Sequence, residues 1–150
     1  MKKLAILFLL ATLFTFELSA QVEYKIITVV ESIVPAGVGR SRIIEPQQEA
    51  DVSAITTERT DGKKSDMNEV KRKDLKIDAF AETKLLNFFS LGGINFQNIA
   101  SNDAIISDKI NLMVSEGWEL AFVTSGVESD AGGQDGEGIF ITRFVFKRSR

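Results

Sequence analysis

The stretch 101-SNDAIISDKINLMVSEGWELAFV-123 decides the fold of this chain. Its first half repeats apolar residues at steps of three and four, which places them on one face of a helix capped by Ser101, Asn102 or Asp103. Gly117 then ends the helix as a C-cap. The apolar helix positions are Ile105, Ile106, Ile110, Met113 and Val114, and a strand follows in which Trp118, Leu120 and Phe122 alternate with Glu119, Ala121 and Val123. The stretch therefore predicts a helix that passes directly into a strand.

Two further strands are predicted outside this unit. Residues 22–33, VEYKIITVVESI, are rich in β-branched side chains and have apolar residues on both faces, so we expect a strand that is partly buried on each side. Residues 138–148, GIFITRFVFKR, form a second strand that pairs with the one after Gly117, in a hairpin with a long loop at 125–138. The sequence thus predicts a small antiparallel sheet with one main amphipathic helix, an α+β domain.

The last strand has two apolar faces. Phe140, Phe144 and Phe146 lie on one face, and Ile139, Ile141 and Val145 lie on the other. One helix covers only one face of a sheet, so a second layer is needed. We expect the apolar stretch at 85–99 or its neighbours to supply it. The secondary structure of the stretch is ambiguous: residues 84–91 fit a short helix that ends near Gly92, or the whole stretch fits an irregular strand. A homodimer or a small ligand is the alternative cover.

Residues 45–76 are polar and mixed in charge, without a sustained period. This composition is typical of a mobile, solvated insertion. The run KRKDLK within it suggests a polyanion-binding arm, but the interleaved acidic residues cancel most of its field. We therefore predict no binding role for this segment.

The first twenty residues have the pattern of a secretory signal peptide. Lys2 and Lys3 precede an uncharged run of thirteen residues at 4–16, apolar except for Thr12 and Thr15, and the small residues Ser19 and Ala20 come before Gln21. A membrane span needs about 20 apolar residues, which argues against an uncleaved anchor, and a chain without Cys cannot carry a lipoprotein acyl group at this point. The sequence predicts export, with a single mature domain at 21–150 in the periplasm or outside the cell.

Composition limits the chemistry of this domain. The chain has no His and no Cys, which excludes Ser-His-Asp and Cys-His catalysis and the standard zinc ligands. Without Lys2, Lys3 and Glu17 it carries 16 basic and 20 acidic residues, a net charge of −4 with no dominant block of one sign. Nucleic acid is therefore a poor candidate partner. We predict no catalytic residues, no cofactor and no metal.

Two loops contain the residue types that ligand sites use. The loop 37-GVGRSR-42 follows a strand, and Gly37 and Gly39 with the guanidinium groups of Arg40 and Arg42 form a candidate anion site. It lacks the third Gly of a dinucleotide fingerprint and the Gly-Lys-Ser/Thr of a P-loop. In the loop at 125–138, calcium would need the acids Glu128, Asp130, Asp135 and Glu137, but their spacing does not fit an EF-hand.

The string 116-EGWEL-120 between a helix and a strand, with an opening Tyr24-Lys25 strand and a closing 144-FVFKR-148, resembles the DUF4177 family of small domains of unknown function. Longer strings, among them VVESIVPAGVGRSR, are similar to secreted relatives of that group in Bacteroidetes-type bacteria. The resemblance implies a β-α-β-β domain and supplies no catalytic residues. The residues expected to anchor its core are Gly117, Trp118, Leu120 and Phe144.

Together these patterns predict an exported α+β protein that is a non-catalytic binding or protein-interaction module. Its partner is an unidentified protein or small molecule. The alternatives are a small enzyme that uses carboxylate and Arg side chains, and a structural envelope component that forms a homo-oligomer. A binding module predicts an apolar or Arg-lined surface, whereas an enzyme predicts a cleft with converging acids, Lys or Tyr.

Overall fold

A computed structural model of the chain describes residues 21–33, 40–90, 92–127 and 138–150. In these residues five antiparallel strands form one sheet in the order β3-β2-β1-β7-β6, and β4 and β5 form a separate two-stranded ribbon. The strands are β1 (Val22–Ser32), β2 (Arg42–Pro46), β3 (Phe80–Lys84), β4 (Phe89–Ser90), β5 (Gly93–Ile94), β6 (Glu119–Val127) and β7 (Ile139–Ser149). The helices are α1 (Val52–Ile55), a 3-10 turn (Asp66–Glu69) and the long α2 (Phe96–Ser115). The predicted α+β class is confirmed.

The helix α2 begins six to eight residues earlier than the sequence predicted. Asn95 is its N-cap, and its side-chain oxygen accepts hydrogen bonds from the backbone N–H groups of Gln97 and Asn98. The predicted caps Ser101, Asn102 and Asp103 lie inside the helix, where Asn102 is fully buried. The end of the helix is as predicted, because Gly117 has a φ of +86°, a left-handed conformation that glycine adopts without strain.

The core lies between α2 and one face of the sheet, called the inner face. Its buried residues are Ile27, Val29, Ile43, Leu85, Met113, Trp118 and Phe146, with Ile105, Ile106, Ile110 and Phe144 packed partly against them. Alternate residues of β1 and β7 therefore point to the helix, as a period of two requires. The predicted strand at 22–33 and the predicted β6–β7 hairpin are both confirmed.

The stretch at 85–99 does not cover the second face of the sheet. Leu85 belongs to the same core as Met113, and the ring of Phe88 lies 6.0 Å from that of Phe140 on the inner face. A helix at 84–91 is also wrong, since β3 ends at Lys84 and β4 follows at Phe89. The stretch lies on the same face of the sheet as α2 because two hydrogen bonds hold its backbone there. The N–H of Leu86 donates to the Asn102 side chain of α2, and the N–H of Phe88 donates to the carbonyl of Ser32 at the end of β1.

Two further predictions need correction. Leu120 was expected in the core but is 37 % exposed. It lies on the edge strand β6, next to an irregularity between Leu120 and Phe122, whereas α2 packs over β1, β2 and β7. The polar segment predicted to start at Glu45 starts later, because Glu45 and Pro46 are the last residues of β2 and Glu45 is buried.

Candidate functional site

The sheet splits where β2 diverges from β1. The two strands are paired only over Thr28–Val30 and Arg42–Ile44, although β1 begins at Val22 and β2 runs on to Pro46. Beyond Ile44, β2 stays with β3, and the N–H of Gln47 donates to the carbonyl of Ala79. We call the resulting opening of about 630 Å³ the edge groove; its lining residues are Glu23, Tyr24, Lys25, Ile26, Pro46, Gln48, Glu49, Ala50, Glu116, Trp118, Arg148 and Arg150.

A proline explains the divergence. Continuing the register of Thr28 with Ile44 by two residues would set Ile26 opposite Pro46. Proline has no backbone N–H, so the carbonyl of Ile26 cannot receive the hydrogen bond that an antiparallel ladder requires at this point. The β1–β2 ladder therefore ends here, while the β1–β7 ladder on the other side runs the full length of β1.

The hydrogen bonds at the ends of the β1–β7 ladder show which backbone groups face the groove. The N–H of Arg150 donates to the carbonyl of Gln21, and the N–H of Ile33 donates to that of Gly138. Because hydrogen-bonded pairs alternate along an antiparallel ladder, the odd-numbered residues of β1 point their backbone groups to β7 and the even-numbered ones point away from it. Tyr24 and Ile26 therefore direct their N–H and C=O groups into the edge groove.

An aromatic and ionic cluster forms the inner wall of the groove. The guanidinium of Arg148 lies 4.2 Å from the centre of the Trp118 ring, and Trp118 is 6 % exposed. Glu23 accepts from Arg148 at 3.0 Å and from Arg150 at 3.3 Å. These hydrogen bonds, first that of Arg148 and then that of Arg150, hold the pKa of Glu23 below its usual value. The carboxylate is thus fully ionised at neutral pH and already paired with cations.

A second ionic cluster lies behind this wall and links sheet and helix. The buried carboxylate of Glu45 forms salt bridges with Lys25 of β1 and with Lys109 of α2, the latter at 2.6 Å. Burial by itself would raise the pKa of Glu45, but the hydrogen bonds from Lys109 and Lys25 outweigh burial and keep the pKa below its usual value. The cluster fixes β2 to the helix beside the groove, which Lys25 also lines.

A third buried polar contact, made by Asn102, is structural. The side chain of Asn102 accepts from the N–H of Leu86 at 2.8 Å and donates to its carbonyl at 2.7 Å, and it also donates to Glu31 at 3.1 Å. Burial raises the pKa of Glu31, against the hydrogen bond from Asn102. Asn102 therefore acts as a clamp that holds the 85–88 backbone against α2, rather than as the helix cap that the sequence indicated.

The opposite face of the sheet, which we call the outer face, carries apolar side chains next to the groove. Tyr24 is 64 % exposed, Phe122 is 56 % exposed, and Ile26 is also exposed. Val145 lies between β1 and β6 in the sheet and is buried by its neighbours. Among the residues that the structure describes, none of the helices packs on this side of Tyr24 and Phe122. The face thus offers an apolar surface that adjoins the edge groove.

The predicted anion site lies only partly within the described residues. Arg42 lies within β2, and its guanidinium pairs with Glu82 of β3 at 2.6 Å, so its charge is already compensated by a neighbour in the sheet. Arg40 is exposed, and Gly37 and Gly39 lie outside the described residues. The acids at 128–137 that were weighed for calcium lie outside them as well, and within the described ranges no cluster of three potential metal ligands occurs.

Sequence reasoning missed the edge groove, although one of its determinants is visible in the sequence. Of the four residues named as core anchors, Gly117, Trp118 and Phe144 lie at the helix end or in the core, and Trp118 also forms the floor of the groove. Pro46 is visible in the sequence and indicates the end of a strand ladder, because proline has no backbone N–H to donate. The contact of Glu23 with Arg148 joins residues 125 positions apart and depends on the strand register, which no local pattern gives.

No family model matches the chain, and comparison with curated proteins and with solved structures found no match either. The resemblance to DUF4177 therefore stays a prediction. Within the described part of the chain, no helix is both long and apolar enough to cross a membrane.

Proposed function

We propose that this protein is an exported, non-catalytic module that binds a partner protein through the edge groove and the adjoining outer face. The observation that carries the proposal is the exposure of Tyr24, Ile26 and Phe122 beside an open groove, while the other face of the same sheet is covered by α2. Clustered exposed apolar side chains on a small domain are typical of an interaction surface.

The charged groups of the groove favour binding over catalysis. Glu23 is paired with Arg148 and Arg150, and Lys25 is paired with Glu45. A general acid or base needs a pKa that is moved towards neutrality and a proton that it can exchange with a substrate. The pKa of Glu23 is moved the other way. The paired charges instead stiffen the wall of the groove.

The proposal keeps two predictions from the sequence. We propose that the leader at 1–20 directs export to the periplasm or beyond, and that β1, α2, β6 and β7 are the β-α-β-β core that the DUF4177 resemblance implies, with β2 to β5 inserted between β1 and α2. N-terminal sequencing of the protein exported by its host tests the first, and a chain that still begins at Met1 would contradict it.

Site-specific cross-linking tests the binding surface. A photo-reactive benzoyl-phenylalanine is placed at Phe122 on the outer face or, as a matched control, at Phe96, an aromatic residue that is more exposed but lies at the start of α2. In the native host we expect a discrete cross-linked species from position 122 and none from position 96. Its mass identifies a partner protein or, if it is twice the protomer mass, a homodimer. Equal labelling at both positions, or none at 122, would contradict the proposal.

A further inference from the structure

We propose that the edge groove binds an extended polypeptide segment, which adds as a strand to residues 22–26 of β1. This inference rests on the proposed function as an interaction module and specifies how the partner is held. Addition of a strand to a free sheet edge is an established mode of peptide recognition, in which main-chain hydrogen bonds give affinity and alternate side chains give specificity.

The backbone of β1 provides the hydrogen bonds. Tyr24 and Ile26 point their N–H and C=O groups into the groove, and Pro46 cannot donate to Ile26. Within the described residues, no backbone hydrogen bond joins Tyr24 to residues 47–50 on the opposite wall. A strand laid along β1 would satisfy these groups in the same way as β2 satisfies Thr28 and Val30 further along.

The dimensions of the groove fit a short strand. Residues 22–26 span about 17 Å at the rise of an antiparallel strand. The opening of about 630 Å³ is within the range of roughly 300–1,000 Å³ found for pockets that bury a drug-sized ligand. Residues 46–50 form the far wall, so the entering strand lies between two stretches of this chain.

The residues that line the groove also determine which side chains the bound segment needs. On the outer side it would meet exposed Tyr24 and Ile26, and on the inner side it would meet Glu23, Arg148 and Arg150, whose charges are already paired. Because side chains of a strand alternate between faces, the partner needs an apolar residue at every second position and an uncharged polar residue between. The β1 of a second copy is a poor occupant, since its own residues 23–26 lie inside the groove of that copy, opposite Pro46 and residues 48–50.

The test measures binding of a defined peptide by fluorescence anisotropy. The probe is a fluorescein-labelled peptide of about eight residues that alternates valine and threonine between terminal lysines. The protein is the exported chain as purified from its host. Tyr24→Pro removes the N–H that faces the groove and leaves the β1–β7 ladder intact, whereas Tyr24→Ala removes the same side chain and keeps the N–H.

We expect saturable binding to the wild type and to Tyr24→Ala, and binding at least about tenfold weaker to Tyr24→Pro. Absence of saturable binding to the wild type, or Tyr24→Pro and Tyr24→Ala affinities within about twofold of each other, would overturn the inference. If Tyr24→Pro fails to fold, Pro46→Val replaces it. This variant supplies the missing donor opposite Ile26, so β2 can close onto β1, and we expect it to bind the peptide more weakly without loss of thermal stability.

Failure of this inference can be told apart from failure of the proposed function. If cross-linking from position 122 captures a partner equally in wild type and Tyr24→Pro, the module still binds a protein but strand addition is overturned. If the peptide binds as expected and no partner is captured from position 122, strand addition is supported and the proposed use of the outer face is contradicted.

Discussion

Replacing Glu45 by glutamine tests the buried ionic cluster that fixes β2 to α2. The Glu45 side chain is 10 % exposed and accepts from Lys25 and Lys109. A charge-assisted hydrogen bond contributes about 1.5–3 kcal/mol net, and the low end applies here because both lysines partly reach water. Glutamine keeps one acceptor oxygen, which retains roughly 1 kcal/mol with one lysine. We therefore expect a loss of about 2 kcal/mol in the free energy of unfolding.

Urea denaturation, followed by the fluorescence of Trp118 and by circular dichroism, measures this loss. The matched control is Glu49→Gln, because the Glu49 side chain is 95 % exposed and lies 3.9 Å from Arg150. Such a surface pair contributes little, so we expect a change below about 0.5 kcal/mol. Thermal unfolding of Glu45→Gln is expected roughly 8 °C below that of the wild type.

The pH dependence of the difference follows from the depressed pKa of Glu45. A carboxyl whose pKa is lower in the folded state stabilises the fold above its unfolded pKa of about 4.3 and loses that contribution as the pH falls through the folded pKa. The gap between wild type and Glu45→Gln should therefore be full at neutral pH and should close below about pH 4. A gap under about 0.5 kcal/mol at neutral pH, or one that stays constant into the acid range, would refute this reasoning.

Three further substitutions test other parts of the structure. Gly117→Ala should lower the free energy of unfolding, measured by urea denaturation, by about 1–2 kcal/mol, because alanine is strained at a φ of +86°. Steric overlap is not the cause, since the new Cβ would lie 3.8 Å from Arg148. Gly126→Ala is the control, because a Cβ there meets no atom within 4 Å, and an equal loss in both variants would contradict this prediction. Asn102→Ala should lower the free energy of unfolding by about 2–3 kcal/mol, since it leaves the N–H and C=O of Leu86 without their partner, and a cost below about 0.5 kcal/mol would argue against the clamp. Glu31→Gln should leave thermal stability equal or higher at neutral pH and unchanged near pH 3. Burial raises the pKa of Glu31, so the charged carboxylate destabilises the fold above that pKa and glutamine removes this cost. Lower thermal stability of Glu31→Gln at neutral pH would contradict this prediction.

The parts of the fold that local patterns determine were predictable. The period of α2, the left-handed Gly117 and the alternation in β1, β6 and β7 depend on near neighbours in sequence, and apart from the start of α2 these elements were predicted to within a few residues. The helix start was missed because Ser101, Asn102 and Asp103 are all good cap residues. Asn95 is an equally good one, and tertiary contacts rather than propensity decide between them.

The strands between residues 80 and 94 gave no usable signal. β3 is an edge strand, and its residues are exposed throughout, so neither face shows the alternation by which a half-buried strand is recognised. The apolar run at 85–99 was recognised as a covering layer but was assigned to the wrong face. Its position depends on the hydrogen bonds of Asn102 to Leu86, which join residues 16 positions apart.

The candidate site depends on long-range register in the same way. The salt bridges of Glu23, the stacking of Arg148 on Trp118 and the direction of the Tyr24 backbone all follow from the pairing of β1 with β7. The pairing of Arg42 with Glu82 has the same origin, because it depends on the register of β2 with β3 and not on the glycine-rich loop that precedes Arg42.

Amide hydrogen exchange at Tyr24 and Lys25, measured by NMR with and without the alternating valine-threonine peptide, tests the central claim most directly. The N–H of Lys25 points to β7 and that of Tyr24 points into the edge groove. The account predicts that in the free protein Tyr24 exchanges much faster than Lys25, and that the peptide slows Tyr24 while leaving Lys25 unchanged. Equal protection of the two amides in the free protein, or no added protection of Tyr24 at saturating peptide, would contradict it.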